Sequence, residues 1–322
     1  MYPLKFIPIL KDKIWGGHKL QQIFGKLPNN LPNIGESWEL SGYKSDPSVV
    51  ANGKFKGKTI IELIEQYKEV LLGEKTYKQF GTNFPLLYKL IDATDDLSIQ
   101  VHPNDEFAVK RHNSFGKTEM WYVLDAAQNA CLIIGFNNNT DKNTYINAVE
   151  NGEVEKLLQK VPVTAGDVFF IPAGLVHAIG KGVVVAEIQQ SSDITYRIYD
   201  YKRKDDNGNE RELHTEMAVD VIDYSGSKNP KTQYIDSKNE TIPLVQCKYF
   251  TTNIIKLDKN IEKDYSELDS FVTYMCLDGS VNIACDNNMV ELKKGETVLI
   301  PACLKKLTLI PKGNTKLLET YI

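Results

Sequence analysis

The sequence predicts a mainly β protein made of two jelly-roll β-barrels, with short helical segments inserted in and around the first. Three observations lead there. From Phe84 onward, strand-like runs are broken by Gly, Pro and Asp turns. The block Ala165–Ala173 (AGDVFFIPA) is matched position for position by Lys294–Ala302 (KGETVLIPA). Upstream of each, Tyr122-Val123-Leu124-Asp125-Ala126 is matched by Met275-Cys276-Leu277-Asp278-Gly279. One β unit therefore occurs twice. The gap between the matching blocks is about two dozen residues longer in the first copy, the size of one helical insertion.

The elements follow in order. Residues 1–56 read as short extended pieces with turns, beginning with an apolar, proline-interrupted arm, Met1–Leu10. Trp15 and Trp38 are candidates for a pocket wall, with buried packing as the alternative. Thr59–Leu72 (TIIELIEQYKEVLL) carries apolar residues at helical spacing. Gly57-Lys58-Thr59 before it is no phosphate loop, because the rest of the GxxxxGK[ST] pattern is missing. Strands are expected at Pro85–Ile91, Leu97–His102, Glu119–Asp125, Ala130–Gly135, Val168–Pro172, Val183–Gln189 and Thr195–Asp200. A helical insert is expected at about 141–160, and a short helix at Glu212–Ile222. The polar stretch 225–240 reads as a linker. The expected organisation is a catalytic unit over 1–224, with helical insertions near 57–75 and 141–160, then the linker, then a second barrel over 241–322.

Composition narrows the function. A formal charge of −4 and a pI near 5.8 leave no basic footprint for nucleic acid or an anionic membrane. An anionic small molecule would need locally concentrated positive charge. No apolar run approaches the roughly 18 residues of a membrane span, and the arm lacks a basic leader and a cleavage site. The five cysteines are odd in number, scattered and without CxxC spacing. A soluble, cytoplasmic chain with its thiols used as small core residues is expected.

The chemistry concentrates in a few residues. Gln100 and His102 stand two apart in a strand-like run, so their side chains share one face, and Pro103 ends the strand. Glu119 and His177 could complete a coordination sphere of two imidazoles, one carboxylate and one amide oxygen. The Gly-acidic turn leading into a strand that ends Ile-Pro-Ala is the second signature of the cupin barrel, and in the first copy it runs on to His177. The second copy has Leu304-Lys305-Lys306 there, so the C-terminal cupin-like barrel lacks metal ligands and is expected to be structural. A cupin barrel brings the Gln100, Glu119 and His177 segments to one open end. A single carboxylate leaves a divalent ion with net positive charge, as a Lewis acid requires.

His18, His112 and His214 are not expected as ligands: His18 follows a glycine pair, His112 lies in a polar loop and His214 in a helical run. Lys117 lies two before Glu119, and Lys202 and Arg203 follow Arg197 closely. Arg197 within Tyr196-Arg197-Ile198-Tyr199 is costly unless paired, and a phosphate or carboxylate would pair it. Glu187 within Val183–Ile188 is equally out of place, either bridged to an arginine or poised as a general base.

Four ordered runs carry a resemblance: Ser98–Asp105 (SIQVHPND), Gly116–Tyr122 (GKTEMWY), Ile171–Ala178 (IPAGLVHA) and Glu187–Asp193 (EIQQSSD) continuing to Arg197. With these the chain resembles the type I mannose-6-phosphate isomerases in their short bacterial form. The resemblance implies one zinc ion held by Gln100, His102, Glu119 and His177, with Arg197, Glu187 and Lys117 in the active site. It implies interconversion of mannose 6-phosphate and fructose 6-phosphate through a cis-enediol(ate). The phosphorylated hexose is expected to meet Arg197, Lys117, Lys202, Arg203 and Trp15. No nucleic acid, membrane or protein partner is implied. A different metal-dependent cupin enzyme, such as a dioxygenase, and a non-catalytic sugar-phosphate binder are the alternatives.

Overall fold

The computed structural model describes residues 1–26, 32–204, 208–226 and 229–322. Residues 227 and 228 of the expected linker lie outside them. The fold is mainly β, in four antiparallel sheets. A six-stranded sheet runs, in spatial order, Val168–Ile171, Glu119–Ala126, Val183–Gln190, Leu86–Ala93, Ile34–Ser41, Ile9–Gly17. Its companion of five strands runs Tyr196–Tyr199, Ile99–Val101, His177–Ile179, Cys131–Phe136, Leu158–Pro162. Trp121, Val123 and Val185 of the first sheet and Leu132, Ile134 and Ile179 of the second share one apolar core.

The last eighty residues repeat this order. Thr297–Ile300, Val272–Asp278, Thr315–Tyr321, Thr251–Leu257 and Thr241–Gln246 lie side by side, and Ile261–Asp264, Lys306–Pro311, Ser280–Cys285 and Asn288–Lys293 form the smaller sheet. The repeat seen in sequence is also a repeat of register. Val168 faces Tyr122, and its counterpart Thr297 faces Met275, the counterpart of Tyr122. The Gly-acidic turn folds alike in both copies: Gly166 N–H donates to Val123 O and Gly295 N–H to Cys276 O. Both glycines have positive φ, 100° and 81°, which a residue with a Cβ adopts only under strain.

The two large sheets lie back to back. Tyr88, Met120, Ala186 and Ile188 pack in one core with Ile254, Met275, Leu299 and Leu318. Val183–Gln190 is consequently buried on both faces and shows no alternation. The arm is a strand, Leu4–Ile7, but it extends the large sheet of the second unit, pairing with Thr297–Ile300. No sheet closes on itself through strand pairing among the described residues.

Local sequence explains the helices. Thr59 and Glu62 form a capping box at the start of Ile60–Leu72, whose Leu63, Ile64, Leu71 and Leu72 enter the core between the large sheets. The 141–160 segment holds the helix Lys142–Glu150, capped by Asp141, and a 3₁₀ turn, Val154–Leu157. Its last residues start the strand Leu158–Pro162, whose Leu158 and Val161 are buried in two different apolar clusters. The run Glu212–Ile222 is helical only over Thr215–Val219. His112 lies not in a loop but in the last turn of a helix, Asp105–His112, capped by Asn104; its charged surface hid the pattern. Not every thiol is a core residue: Cys276 and Cys285 are buried, while Cys303 is exposed. No helix among the described residues is long and apolar enough to cross a membrane.

Candidate active site

The strand Ile99–Val101 runs between Tyr196–Tyr199 and His177–Ile179, so Gln100 faces His177 on one side and Arg197 on the other. His177 opens its strand directly after the Ile-Pro-Ala turn, and Glu119 opens the strand opposite Gln189. These start points bring His102, Glu119 and His177 together, with ligand atoms within 4.8 Å of one another and all three side chains buried. His102 Nε2 lies 3.5 Å from one Glu119 oxygen and His177 Nε2 lies 3.4 Å from the other. The Gln100 amide is 3.4 Å from His177 Nε2.

Three further observations fit this group to a cation. Among the described residues both Glu119 oxygens are buried without a hydrogen-bond partner, and one of them has a positive charge near it, Lys117 Nζ at 3.3 Å, an arrangement that a bound cation would complete. His102 Nδ1 donates to Ile194 O at 2.9 Å and His177 Nδ1 to Leu175 O at 2.8 Å. These bonds leave each Nε2 lone pair turned toward Glu119, as a metal ligand requires. Burial, and then the charge of Lys117, holds His102 well below the usual histidine value. Burial holds His177 at about 4, so both rings are neutral at pH 7. Burial, reinforced by the charge of Glu187, pushes Glu119 up to about 7; a cation would reverse that.

Beside the trio lies a cavity of about 470 Å³. Gln100 and Lys117 line it, and Lys117 Nζ sits 3.1 Å from His102 Nε2 and 3.3 Å from Glu119. Trp15 and Trp38 are both buried and both form part of the wall. Glu187 is bridged to a lysine, Lys89, at 2.9 Å, rather than to an arginine, and Trp121 Nε1 donates to it at 2.8 Å. Burial opposes its ionisation, but the charges of Lys89 and Lys117 and the bonds from Lys89 and Trp121 outweigh that and hold it at about 2. Glu36, bonded to the Trp38 ring N–H at 2.7 Å, adds a second carboxylate near Lys89.

Arg197 lines the cavity too, with its Nε buried and without a partner among the described residues, and one Nη donating to Glu212 O at 2.8 Å. Burial, and then the neighbouring charge of Arg211, lowers its pKa. Arg211 lines the same cavity, held in place by two bonds of 2.6 Å to Asp200. Lys202 is exposed, and Arg203 is engaged by Asp200 at 2.5 Å and by Asp96 O; neither lines the cavity. His18, His112 and His214 all stand apart from the buried trio; His214 Nδ1 accepts from the Arg197 backbone N–H at 3.2 Å.

Sequence reasoning missed Lys89, Glu36 and Arg211. Lys89 had a usable signal, since a charged residue inside Leu86–Ala93 is as misplaced as Glu187 in its own strand. Glu36 had none, because Glu39 on the opposite face is buried as well, against Lys26. Arg211 follows a polar turn and looks solvated until the chain folds back onto Asp200.

Comparison with known proteins identifies the family. Residues 4–153 match the catalytic domain of type I phosphomannose isomerase, and residues 240–322 match the mannose-6-phosphate isomerase cupin domain. A mannose-6-phosphate isomerase of Bacillus subtilis is 37% identical over 302 residues, 93% of each chain. One from Streptococcus mutans is 35% identical over 305 residues, 94% of this chain and 93% of its own. The crystal structure of the Bacillus subtilis mannose 6-phosphate isomerase superposes with a TM-score of 0.89 at 35% identity, covering 100% of both chains.

Proposed function

The chain belongs to the type I phosphomannose isomerases, and we propose that it interconverts mannose 6-phosphate and fructose 6-phosphate by moving a proton between adjacent sugar carbons. The observation that carries this reading is the buried His102–Glu119–His177 group opening beside a cavity that also holds Arg197 and Arg211. Gln100, His102, Glu119 and His177 would hold the metal, with zinc suited to two imidazoles, a carboxylate and an amide oxygen. A bound divalent ion would supply the positive charge that polarises the sugar carbonyl.

The chain's own side chains do the rest. Lys117, beside Glu119, places a second positive charge where an oxyanion of the cis-enediol(ate) develops. Arg197, without a partner at Nε among the described residues, binds the phosphate, and Arg211 presents a second guanidinium, oriented by Asp200. Glu187 accepts and returns the proton. A carboxylate held so low is a weak base in the resting state, and it gains basicity if substrate loosens the hold of Lys89, Lys117 or Trp121. Trp15 and Trp38 wall the pocket against water.

In this reading the six- and five-stranded sheets form one cupin-type jelly roll and the sheets of 241–322 another, joined by 225–240, with the arm Leu4–Ile7 crossing from the first unit to the second. The substrate is a phosphorylated hexose and the setting cytoplasmic. The deciding experiment follows fructose 6-phosphate formed from mannose 6-phosphate in a coupled assay, before and after chelation and zinc return. Activity should vanish with chelation and come back with the metal. An inactive zinc-loaded protein would overturn the proposal.

A further inference from the structure

The second unit repeats the first in its buried charge as well as its strands. Glu319 stands opposite Tyr274 as Glu187 stands opposite Trp121, and Tyr274 and Trp121 occupy matching places in the repeat. The aromatic residue donates to the carboxylate in both units, Trp121 Nε1 at 2.8 Å and Tyr274 Oη at 3.1 Å. A lysine meets the carboxylate in both, Lys89 at 2.9 Å and Lys263 at 2.7 Å. The metal positions have changed identity. Val272 stands for Glu119, and Asp264 faces Lys306 where Gln100 faces His177.

Glu319, 1% exposed, lies at the wall of a second cavity of about 690 Å³. Asn253 Nδ2 donates to Glu319 Oε2 at 2.8 Å, and the Tyr265 hydroxyl donates to Oε1, the oxygen that Tyr274 and Lys263 also meet. A buried ion pair adds little stability over an apolar filling of the same volume. Its placement on a cavity rather than within sealed core therefore points to binding. Lys263 Nζ reaches Glu319 and Thr241 Oγ1, the latter at 2.8 Å, and retains a third N–H. Asn253, Tyr265 and Tyr321 also line the cavity. Glu240, Glu262, Asp264 and Glu267 stand in the lining with one lysine among the described residues, Lys263, and Lys306 pairs with Asp264 at 3.4 Å, so the balance is still acidic. That sign of charge repels a phosphate.

We propose that this cavity is a second ligand site, for an unphosphorylated polyhydroxyl compound such as a free sugar or sugar alcohol. The fixed donors and acceptors suit hydroxyl groups, and the acidic lining separates this ligand from the phosphorylated substrate of the first cavity. The inference stands apart from the isomerase reading, because its readout is binding.

The test is calorimetric titration of mannitol, glucitol and D-glucose into the zinc-loaded full chain, with and without excess mannose 6-phosphate. At least one should bind saturably with a Kd on the order of millimolar, unaffected by mannose 6-phosphate. Lys263→Met and Tyr321→Ala should each weaken that binding about tenfold or more and leave turnover of mannose 6-phosphate unchanged. Tyr321 is a partly exposed side chain, so its variant keeps the test open if Lys263→Met unfolds the unit. No saturable binding of any of the three, displacement by mannose 6-phosphate, or an unchanged Kd in Tyr321→Ala would each overturn the proposal.

Discussion

Replacing Lys89 with methionine tests the electrostatics on which the site depends. Lys89 and Glu187 are 6% and 3% exposed and 2.9 Å apart, with Glu36 close enough to add to the field on Lys89. A carboxyl held at about 2 against an ordinary 4.5 favours its ionised form by about 3 kcal/mol. Removing the lysine should therefore cost about 3–5 kcal/mol, the usual loss when one partner of a buried pair is deleted. The pH dependence has a definite sign. Glu187 is depressed, so its contribution is present above pH 4.5 and lost as pH falls toward about 2. The gap between wild type and Lys89→Met should thus be widest near neutrality and narrow below pH 4.5. Trp15, Trp38 and Trp121 all touch this region, so urea unfolding followed by tryptophan fluorescence reports on the first unit. Lys89→Met/Glu187→Gln should recover most of the loss, since neither charge is then stranded. A single-variant cost below about 1 kcal/mol at pH 7 would refute the reasoning, because that is the range of an exposed pair.

Arg211→Ala should raise KM for mannose 6-phosphate about tenfold or more while changing kcat less, as expected for a group that grips the phosphate; a kcat loss at unchanged KM would remove it from that role. Metal binding at pH 6 should release about one proton, because Glu119, pushed up to about 7 by burial, must ionise. Release should fade by pH 8.5, which calorimetry in buffers of different ionisation enthalpy can read, and equal release at both pH values would contradict it. Gly166→Ala should cost about 1–2 kcal/mol from backbone strain alone. The new Cβ would meet nothing nearer than Tyr234 Oη at 3.7 Å, so an unchanged melting temperature would show that the φ of 100° relaxes easily.

The sequence was most legible where a residue type contradicted its surroundings. Gln100, His102, Glu119 and His177 stood out as polar side chains in strand-like or Pro-Ala-Gly contexts, and the repeated Gly-acidic turn tied them to one architecture. Arg197 and Glu187 stood out for the same reason, and Lys89 would have done so under the same test. Charge in a polar stretch carries no such mark. Arg203 and Arg211 look alike in sequence, and only the path of the chain around Asp200 puts Arg211 at the cavity and Arg203 against Asp96. The strand Leu4–Ile7 was legible as a strand, but its partner was not, since pairing across nearly three hundred residues leaves no local trace. Helix Asp105–His112 was lost because only Ala108 is buried, so no apolar stripe announces it.

The two buried carboxylates show which part of the site is architectural and which is chemical. Both face an aromatic donor across the same pair of strands, so the position is a property of the repeated fold. Their lysines come from different places. Lys89 lies on Leu86–Ala93, beside Glu187 within the large sheet, whereas Lys263 comes from Ile261–Asp264 in the smaller one. A lysine shared by descent would occupy one place in both units, and Asn253 stands opposite Glu319 where Lys89 stands opposite Glu187. Neutralising a carboxylate at this depth is therefore the demand both units meet, each by its own route. Only the first unit adds Lys117 and the His102–Glu119–His177 group, which a bound cation would complete. Isomerisation should accordingly need, besides Glu187, residues with no counterpart in the second unit, and the second cavity should keep binding after every one of those is removed.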